Sequence, residues 1–149
     1  TGLGSGELQV INVSVPASPT RTGVYNAPGA FTPIAGFGTT LLAGQGNTLY
    51  VISVATPAAP TVLGTLAIGG AVNDIAVNST GSVAYLATQV SAKEFEAINL
   101  SDLAAPALLG SVDIPSATFM NGVCYNEVLD EAVGATPSDA GELMTFIPQ

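Results

Sequence analysis

Histidine and tryptophan are absent from this 149-residue chain, and cysteine occurs once, at Cys124. Without histidine, Ser-His-Asp and Cys-His catalysis and most zinc or copper sites are excluded within the chain. A single cysteine also excludes an internal disulfide and a cysteine-rich zinc site, and its place in an alternating run favours a small buried strand residue over a nucleophile. We therefore predict a protein that is not an enzyme and that carries no cofactor.

Positive charge is equally scarce, because Arg21 and Lys93 face eleven carboxylates and the formal net charge is -9. Two cations cannot build the basic face that phosphate binding needs, so nucleic acid is excluded as a partner.

No apolar run approaches the roughly 20 residues of a membrane helix, which predicts no membrane insertion in this chain. The chain begins at Thr1, without a methionine, as a processed product or an expressed piece would. Few lysines and many small polar residues favour an extracellular or cell-surface location.

What the chain has in abundance is apolar sequence broken by turns. It is 48% apolar and 9% charged, with 17 glycines and 10 prolines. This composition is too hydrophobic for disorder and too densely interrupted for long helices, so it predicts an all-β protein. The length corresponds to a single domain, residues 1–149.

One sequence outline recurs along the chain. "GELQVINVSVPASPTRTG" (6–23), "NTLYVISVATPAAPTVLG" (47–64) and "KEFEAINLSDLAAPALLG" (93–110) share it, and "GELMTFIPQ" (141–149) begins a partial fourth copy. The copies start near residues 6, 47, 93 and 141, and the spacing between successive starts leaves room for about four short strands. The matching columns include one of prolines and one of glycines: Pro19, Pro60 and Pro106, and Gly23, Gly64 and Gly110.

The segments between the copies also match each other. Residues 74–88 align with 122–136 as a strand, a tight turn and a second strand, and residues 34–44 form a shorter version. Each unit is then a hairpin, a third strand and a fourth strand after the prolines. Because the third strand is apolar on both faces, we expect it to be covered on both. We predict a β-propeller-like array of four-stranded antiparallel blades, about three repeats in all.

The strings "LQVINVSVPASP", "LYVISVATPAAP" and "FEAINLSDLAAP", with a later "AYLA", resemble the LVIVD repeat. That family is a β-propeller-type repeat of bacterial and archaeal cell-surface or secreted proteins, so the resemblance implies blades and no catalytic residues. The family's usual aspartate after the Val-Ile pair is replaced by Asn12, Ser53 and Asn99. Any capping of the following turn then falls to these weaker polar groups.

Thirteen predicted strands do not make whole blades. Joining the C-terminal hairpin to the N-terminal strands gives three blades, below the usual four to eight, and leaves one strand, 141–148, unused. The chain is therefore part of a larger ring, or shares blades with other chains, or forms an unusually small ring with a spare strand. Because an unpaired strand edge is a template for association, we predict protein partners or self-association through exposed edges.

Few side chains qualify as sites. Asn126, Glu127, Asp130 and Glu131 place four oxygen-bearing groups around one turn, which is the raw material of a calcium site. The spacing is not that of an EF-hand loop, and ordinary solvated turn residues are the favoured interpretation. Asn78 starts an Asn-Ser-Thr sequon in a predicted exposed turn and is the best candidate for glycosylation.

The sequence thus leaves three hypotheses for function. The first is a non-enzymatic extracellular or cell-surface module, structural or adhesive, that mediates protein–protein interaction. The second is a subunit of a pilus-like filament or sheet that assembles by strand pairing. The third is a calcium- or glycan-binding propeller module, although the absence of tryptophan disfavours sugar stacking.

Overall fold

A computed structural model describes residues 7–115, 117–137 and 143–146, and these residues form thirteen β-strands. The number agrees with the thirteen strands that the repeat predicts. The strands are β1 (Glu7–Asn12), β2 (Thr20–Asn26), β3 (Ile34–Phe37), β4 (Thr40–Gln45), β5 (Thr48–Ser53), β6 (Thr61–Ala67), β7 (Val72–Val77), β8 (Val83–Thr88), β9 (Phe95–Asn99), β10 (Ala107–Val112), β11 (Gly122–Asn126), β12 (Glu131–Ala135) and β13 (Leu143–Phe146).

Neighbouring strands pair antiparallel in chain order, which gives four sheets. Strands β1 and β2 form a two-stranded sheet that we call the half-blade. Blade 1 contains β3 to β6, blade 2 contains β7 to β10, and blade 3 contains β11 to β13. The fold class is therefore all-β with four-stranded antiparallel blades, as predicted. In the described residues no pairing joins β13 to the half-blade, so the sheets do not close into a ring through a shared strand.

The repeated sequence has a repeated geometry. Each proline step connects a third strand to a fourth strand, as between β5 and β6. The register of the third and fourth strands shifts at one equivalent place in all three pairs, between Val10 and Ile11, between Val51 and Ile52, and opposite Ala97. A bulge at a fixed position strengthens the local twist of each blade in the same way.

Apolar side chains bury the faces between successive sheets. Leu8 of the half-blade packs with Ile52 of blade 1. A larger cluster that includes Leu42 and Leu86 lies between blades 1 and 2, and a third, centred on Met120 and Val123, joins blade 2 to blade 3. The third strand β5 is covered on both faces, as its apolar pattern predicts.

Two burial predictions are wrong, and both concern the ends of the stack. Strand β1 was expected to be covered on both faces, yet Ile11 is exposed because the half-blade packs against blade 1 on one side alone. Cys124 lies in β11 as expected but is exposed rather than buried. Its neighbour Val123 faces blade 2, so the alternation of the strand turns Cys124 to the uncovered face of blade 3.

Candidate interaction surface

Three glycines occupy the same position in the fourth strand of successive sheets. At Gly23 a Cβ atom would lie 1.8 Å from the carbonyl oxygen of Pro57, and at Gly64 it would lie 2.5 Å from that of Leu103. The loop between the third and fourth strands of one blade therefore packs directly on the glycine of the preceding sheet. Gly110 has the same place in blade 2, but no atom of the described residues lies within 4 Å of its Cβ position. We call the space over each of these glycines a notch, and the described part of the chain leaves the notch at Gly110 open.

A second repeated position also differs between sheets, since its side chain is buried in two blades and exposed in the first one. Ile34, Ile75 and Val123 occupy equivalent register positions in the first strands of blades 1, 2 and 3. Ile75 and Val123 are 6% and 7% exposed because each is covered by the preceding blade. Ile34 is 50% exposed, since the half-blade, as far as the structure describes it, has only a third and a fourth strand and does not cover Ile34.

The end of the stack that carries Gly110 presents an apolar surface. Every residue of β10 is exposed, including Leu108, Leu109 and Val112. On blade 3, Cys124 and Val133 face each other across β11 and β12 and line a shallow depression of about 230 Å³. Exposed apolar side chains on sheets are a feature of protein interaction sites, and we call β10 together with this face of blade 3 the end surface.

Polar contacts hold blades 2 and 3 together beneath this surface. Asp74 in β7 accepts a hydrogen bond from the amide of Val123 at 2.9 Å, and Asn73 donates to the carbonyl of Met120 at 2.7 Å. Asn73 and Asp74 both lie within β7, where the register shifts. The bulge explains how adjacent residues reach across to blade 3.

The Asp74 contact gives a testable expectation for stability. Asp74→Ala leaves the Val123 amide without its acceptor, and we expect a loss of about 1.5–3 kcal/mol in the free energy of unfolding. Asp74→Asn keeps an acceptor oxygen and should lose less. Chemical denaturation measures both, and a loss below about 0.5 kcal/mol for Asp74→Ala would contradict this role.

Two acidic side chains are buried in blade 2. Glu94 accepts hydrogen bonds from the amides of Ala92 and Ile114, each at 3.1 Å, and so fixes the loop that follows β10. Glu96 lies in β9 on the face toward blade 1, and burial raises its pKa while the charge of Lys93 opposes the rise. The ionised form of Glu96 is therefore disfavoured in the folded protein.

Glu96 should reduce stability at neutral pH. Because its folded pKa is raised above 4.5, the folded state loses stability relative to the unfolded state as pH rises through that range. Glu96→Gln removes the ionisation, so its melting temperature at pH 7 should exceed that of the parent chain, and the gain should vanish below pH 4.5. An exposed control, Glu127→Gln, should leave the melting temperature unchanged both at pH 7 and at the lower pH. A lower melting temperature for Glu96→Gln at pH 7 would show that the attraction to Lys93 outweighs burial.

The four candidate calcium residues lie at the β11–β12 turn, where two of them already have partners. Asn126 accepts hydrogen bonds from the amides of Val128 and Leu129, and Asp130 accepts one from the hydroxyl of Tyr125 at 2.5 Å. In the residues that the structure describes, no three Asp, Glu, Cys or His side chains are grouped as a metal site would require. Glu127 and Glu131 complete the turn, and calcium binding at these residues stays a prediction that calorimetric titration can test.

The Tyr125–Asp130 contact should be visible in a titration. The hydrogen bond from Tyr125 to Asp130, with smaller effects of burial and charge, raises the pKa of Tyr125 to about 12 from 10.0. Its stabilising effect is complete below pH 10.0 and is lost as pH rises toward 12. Asp130→Asn should lower this pKa, as measured by tyrosinate absorbance, whereas Glu127→Gln should leave it unchanged. Equal titration curves for Asp130→Asn and the parent would contradict the assignment.

Asn78 forms part of the β7–β8 turn. Its side-chain oxygen accepts hydrogen bonds from the amides of Ser82 and Val83, and its Nδ2 donates to the Ser82 hydroxyl at 3.2 Å. The turn is where the sequence placed it, but the side chain is half-buried and organises the hairpin. Glycosylation at this residue stays a prediction.

Asn12, Ser53 and Asn99, which stand where the LVIVD repeat usually has aspartate, cap the turns that follow them. Asn12 accepts a hydrogen bond from the amide of Ser14, and Asn99 accepts one from Ser101, both at 2.9 Å. Ser53 makes the equivalent contact with the amide of Ala55 at 3.3 Å. Side chains two residues before the amide thus start each proline-containing loop, as expected for Asx and Ser turns.

Comparison with known proteins identifies the fold. No protein-family model and no curated protein sequence matches the chain. Among solved structures, the Myceliophteria thermophila Cps50 (Swd1) β-propeller domain is similar at a TM-score of 0.77 and 12% identity, covering 98% of this chain and 46% of that one. The C-terminal WD40 domain of Sif2 is similar at 0.66 and 11% identity, covering 87% and 37%. A chain of the mitotic checkpoint complex is similar at 0.70 and 11% identity, covering 87% and 41%.

The chain therefore has a β-propeller-type fold and spans less than half the length of these solved chains. Membership of the LVIVD family stays a prediction. No helix in the described part of the chain is long and apolar enough to cross a membrane.

Proposed function

We propose that this protein is a non-enzymatic interaction module, structural or adhesive in kind, that binds other proteins at the cell surface or outside the cell. The observation that carries the proposal is the end surface, where an entire strand, β10, is exposed and shows Leu109 at 57% exposure. Repeat proteins ordinarily shield their terminal units with polar faces, so an apolar terminal face indicates a binding surface.

The comparisons support this proposal at the level of architecture. Propeller blades present rigid sheets and loops on which binding residues can vary, which suits protein recognition. One of the similar chains was solved as part of a protein complex, the mitotic checkpoint complex. The extracellular location rests on composition, with eleven acidic residues and two basic ones.

Adhesion of beads coated with the chain tests the proposal. We expect coated beads to attach to a protein-coated surface, and a Leu108→Ser, Leu109→Ser double variant to attach less, because both side chains are exposed on β10. Val128→Ser is the matched control, since Val128 is 91% exposed at the β11–β12 turn and is not part of β10. No attachment above bare beads, or equal attachment of the double variant, would refute the proposal. A hydrolase activity that is lost when one carboxylate is substituted would refute its non-enzymatic part.

A second candidate function is a subunit of a filament or sheet. In the described residues β13 pairs on one side with β12, and its other edge has no strand partner. An open edge can add a strand of another chain through main-chain hydrogen bonds. Thr145→Pro removes a donor from β13, so this hypothesis expects the variant to abolish filaments seen by electron microscopy. Filaments that persist in the variant would exclude it.

A further inference from the structure

We infer that the end surface of one copy of this chain binds the opposite end of a second copy, so that two arcs complete one propeller. The inference rests on the proposed function, because it names the partner of the same surface. The partner's binding element is the half-blade together with the exposed first strand of blade 1. The two ends are complementary in three respects: a loop and the glycine it packs on, two exposed first-strand side chains, and the strands of one blade.

The first complementary pair is a loop and a notch. Within the chain, each loop between third and fourth strands packs on the glycine of the preceding sheet. One such loop has no glycine beneath it: residues 13–19, between β1 and β2, are exposed throughout. At one glycine, Gly110, no loop of the described residues packs on the Cβ position. In the repeat, Pro16 and Ala17 of the free loop align with Pro57 and Ala58, which fill the notch at Gly23.

The second complementary pair lies on the first strands of the blades. Ala76 in β7 packs in the same cluster as Val123 of the next blade. Cys124 is equivalent to Ala76, and Ile34 is equivalent to Val123, but both are exposed at the two ends of the stack. The contact that is made between blades 2 and 3 would therefore form again between Cys124 of one copy and Ile34 of the other.

The third complementary pair consists of the strands of blade 3 and those of the half-blade. Blade 3 has a first, second and third strand, and the half-blade has a third and fourth. The second copy's β1 takes the place of β13 beside β12, and its β2 becomes the missing fourth strand.

The length of the arc fits two copies. This chain aligns with 46% of a propeller domain, so two arcs span nearly the whole of one. Without β13 each copy supplies twelve of its thirteen strands, and two copies make six blades of four, within the usual range of four to eight. A front-to-back contact whose rotation closes gives a ring rather than a fibre.

A disulfide between copies reports the proposed contact directly. Ile34→Cys places a thiol opposite the native Cys124 of the partner, and mild oxidation should give a covalent dimer whose peptides link position 34 to Cys124. The exposure of Ile34 makes the substitution safe for folding. Val128→Cys, at an exposed turn, is the control for random collisions. A yield no higher than that of Val128→Cys, or a dimer without the link from position 34 to Cys124, overturns the inference.

A further substitution in the Ile34→Cys background tests the loop contact. Gly110→Val adds side-chain atoms where no described atom lies within 4 Å of the Cβ position, so the dimer yield should fall about tenfold. An unchanged yield with Gly110→Val overturns the inference. If the link is absent while coated beads still adhere to protein, only the second-copy partner is refuted and the proposed function stands.

Discussion

Gly64→Ala is expected to destabilise the protein strongly, whereas Gly110→Ala should leave its stability unchanged. The added Cβ at Gly64 would lie 2.5 Å from the carbonyl oxygen of Leu103 and 2.7 Å from that of Ala104. These are backbone atoms that cannot rotate away, so the sheets must separate, at a loss of about 1–3 kcal/mol or more. At Gly110 the Cβ meets nothing within 4 Å, and the change should stay within about 0.5 kcal/mol.

Denaturant unfolding of the two variants, at protein concentrations where the chain is monomeric, measures this difference. Gly23→Ala serves as a third point, because its Cβ would lie even closer to backbone, 1.8 Å from the carbonyl oxygen of Pro57. None of the three glycines has the positive φ that disfavours alanine, so sterics alone decide the outcome. Equal destabilisation by Gly64→Ala and Gly110→Ala would contradict the repeated loop-on-glycine contact.

Leu86→Ala should cause a comparable or larger loss, about 2–5 kcal/mol in the free energy of unfolding. Leu86 is fully buried in β8, within the cluster that holds blades 1 and 2 together. Truncation removes packing from both blades and leaves a cavity between two sheets that cannot easily collapse. Leu109→Ala is the matched control, because that side chain is exposed on β10 and should change stability by less than about 0.5 kcal/mol.

Thermal unfolding followed by circular dichroism compares the two leucine variants. If Leu86→Ala and Leu109→Ala lower the melting temperature equally, then blades 1 and 2 are not held together by the cluster described above. If Leu86→Ala lowers the melting temperature and Leu109→Ala does not, the interface between blades is the main source of stability, as nearest-neighbour packing predicts for repeat architectures.

The strands and their order could be predicted from the sequence because they depend on local signals. The alternation in 47–64, its proline step and its glycine recur in 93–110, and a unit of that length has room for four strands. Turn chemistry is equally local: Asn12 and Asn99 cap the turns that follow them, as their positions suggested.

Burial at the ends of the stack could not be predicted in the same way. Cys124 has the same place in the repeat as Ala76, and the sequence therefore suggested that it is buried. Its exposure depends on whether another sheet lies beside blade 3, which is a property of the neighbour and not of the residue. The bond between Asp74 and Val123 was missed for a related reason, since it joins residues 49 positions apart across two blades.

The glycine column was visible in the sequence, but its meaning was not. A recurring glycine can mark a left-handed turn, a bulge or a close approach of backbone, and sequence alone does not separate these. The structure shows that Gly23 and Gly64 allow a close approach, whereas at Gly110 no described residue fills the equivalent position.

The solution mass of the parent chain, measured by light scattering over a range of concentrations, tests the central claim most directly. The claim is that the two ends of this arc of blades are complementary binding surfaces and that two copies close into one ring. It predicts that the mass rises from that of a 14.8 kDa chain to twice that value and then stops, because a closed ring has no free end. With a net charge of -9 on each copy, the rise should occur at lower concentration when salt is added. A mass that stays at 14.8 kDa at every concentration, or that grows without limit, would contradict it.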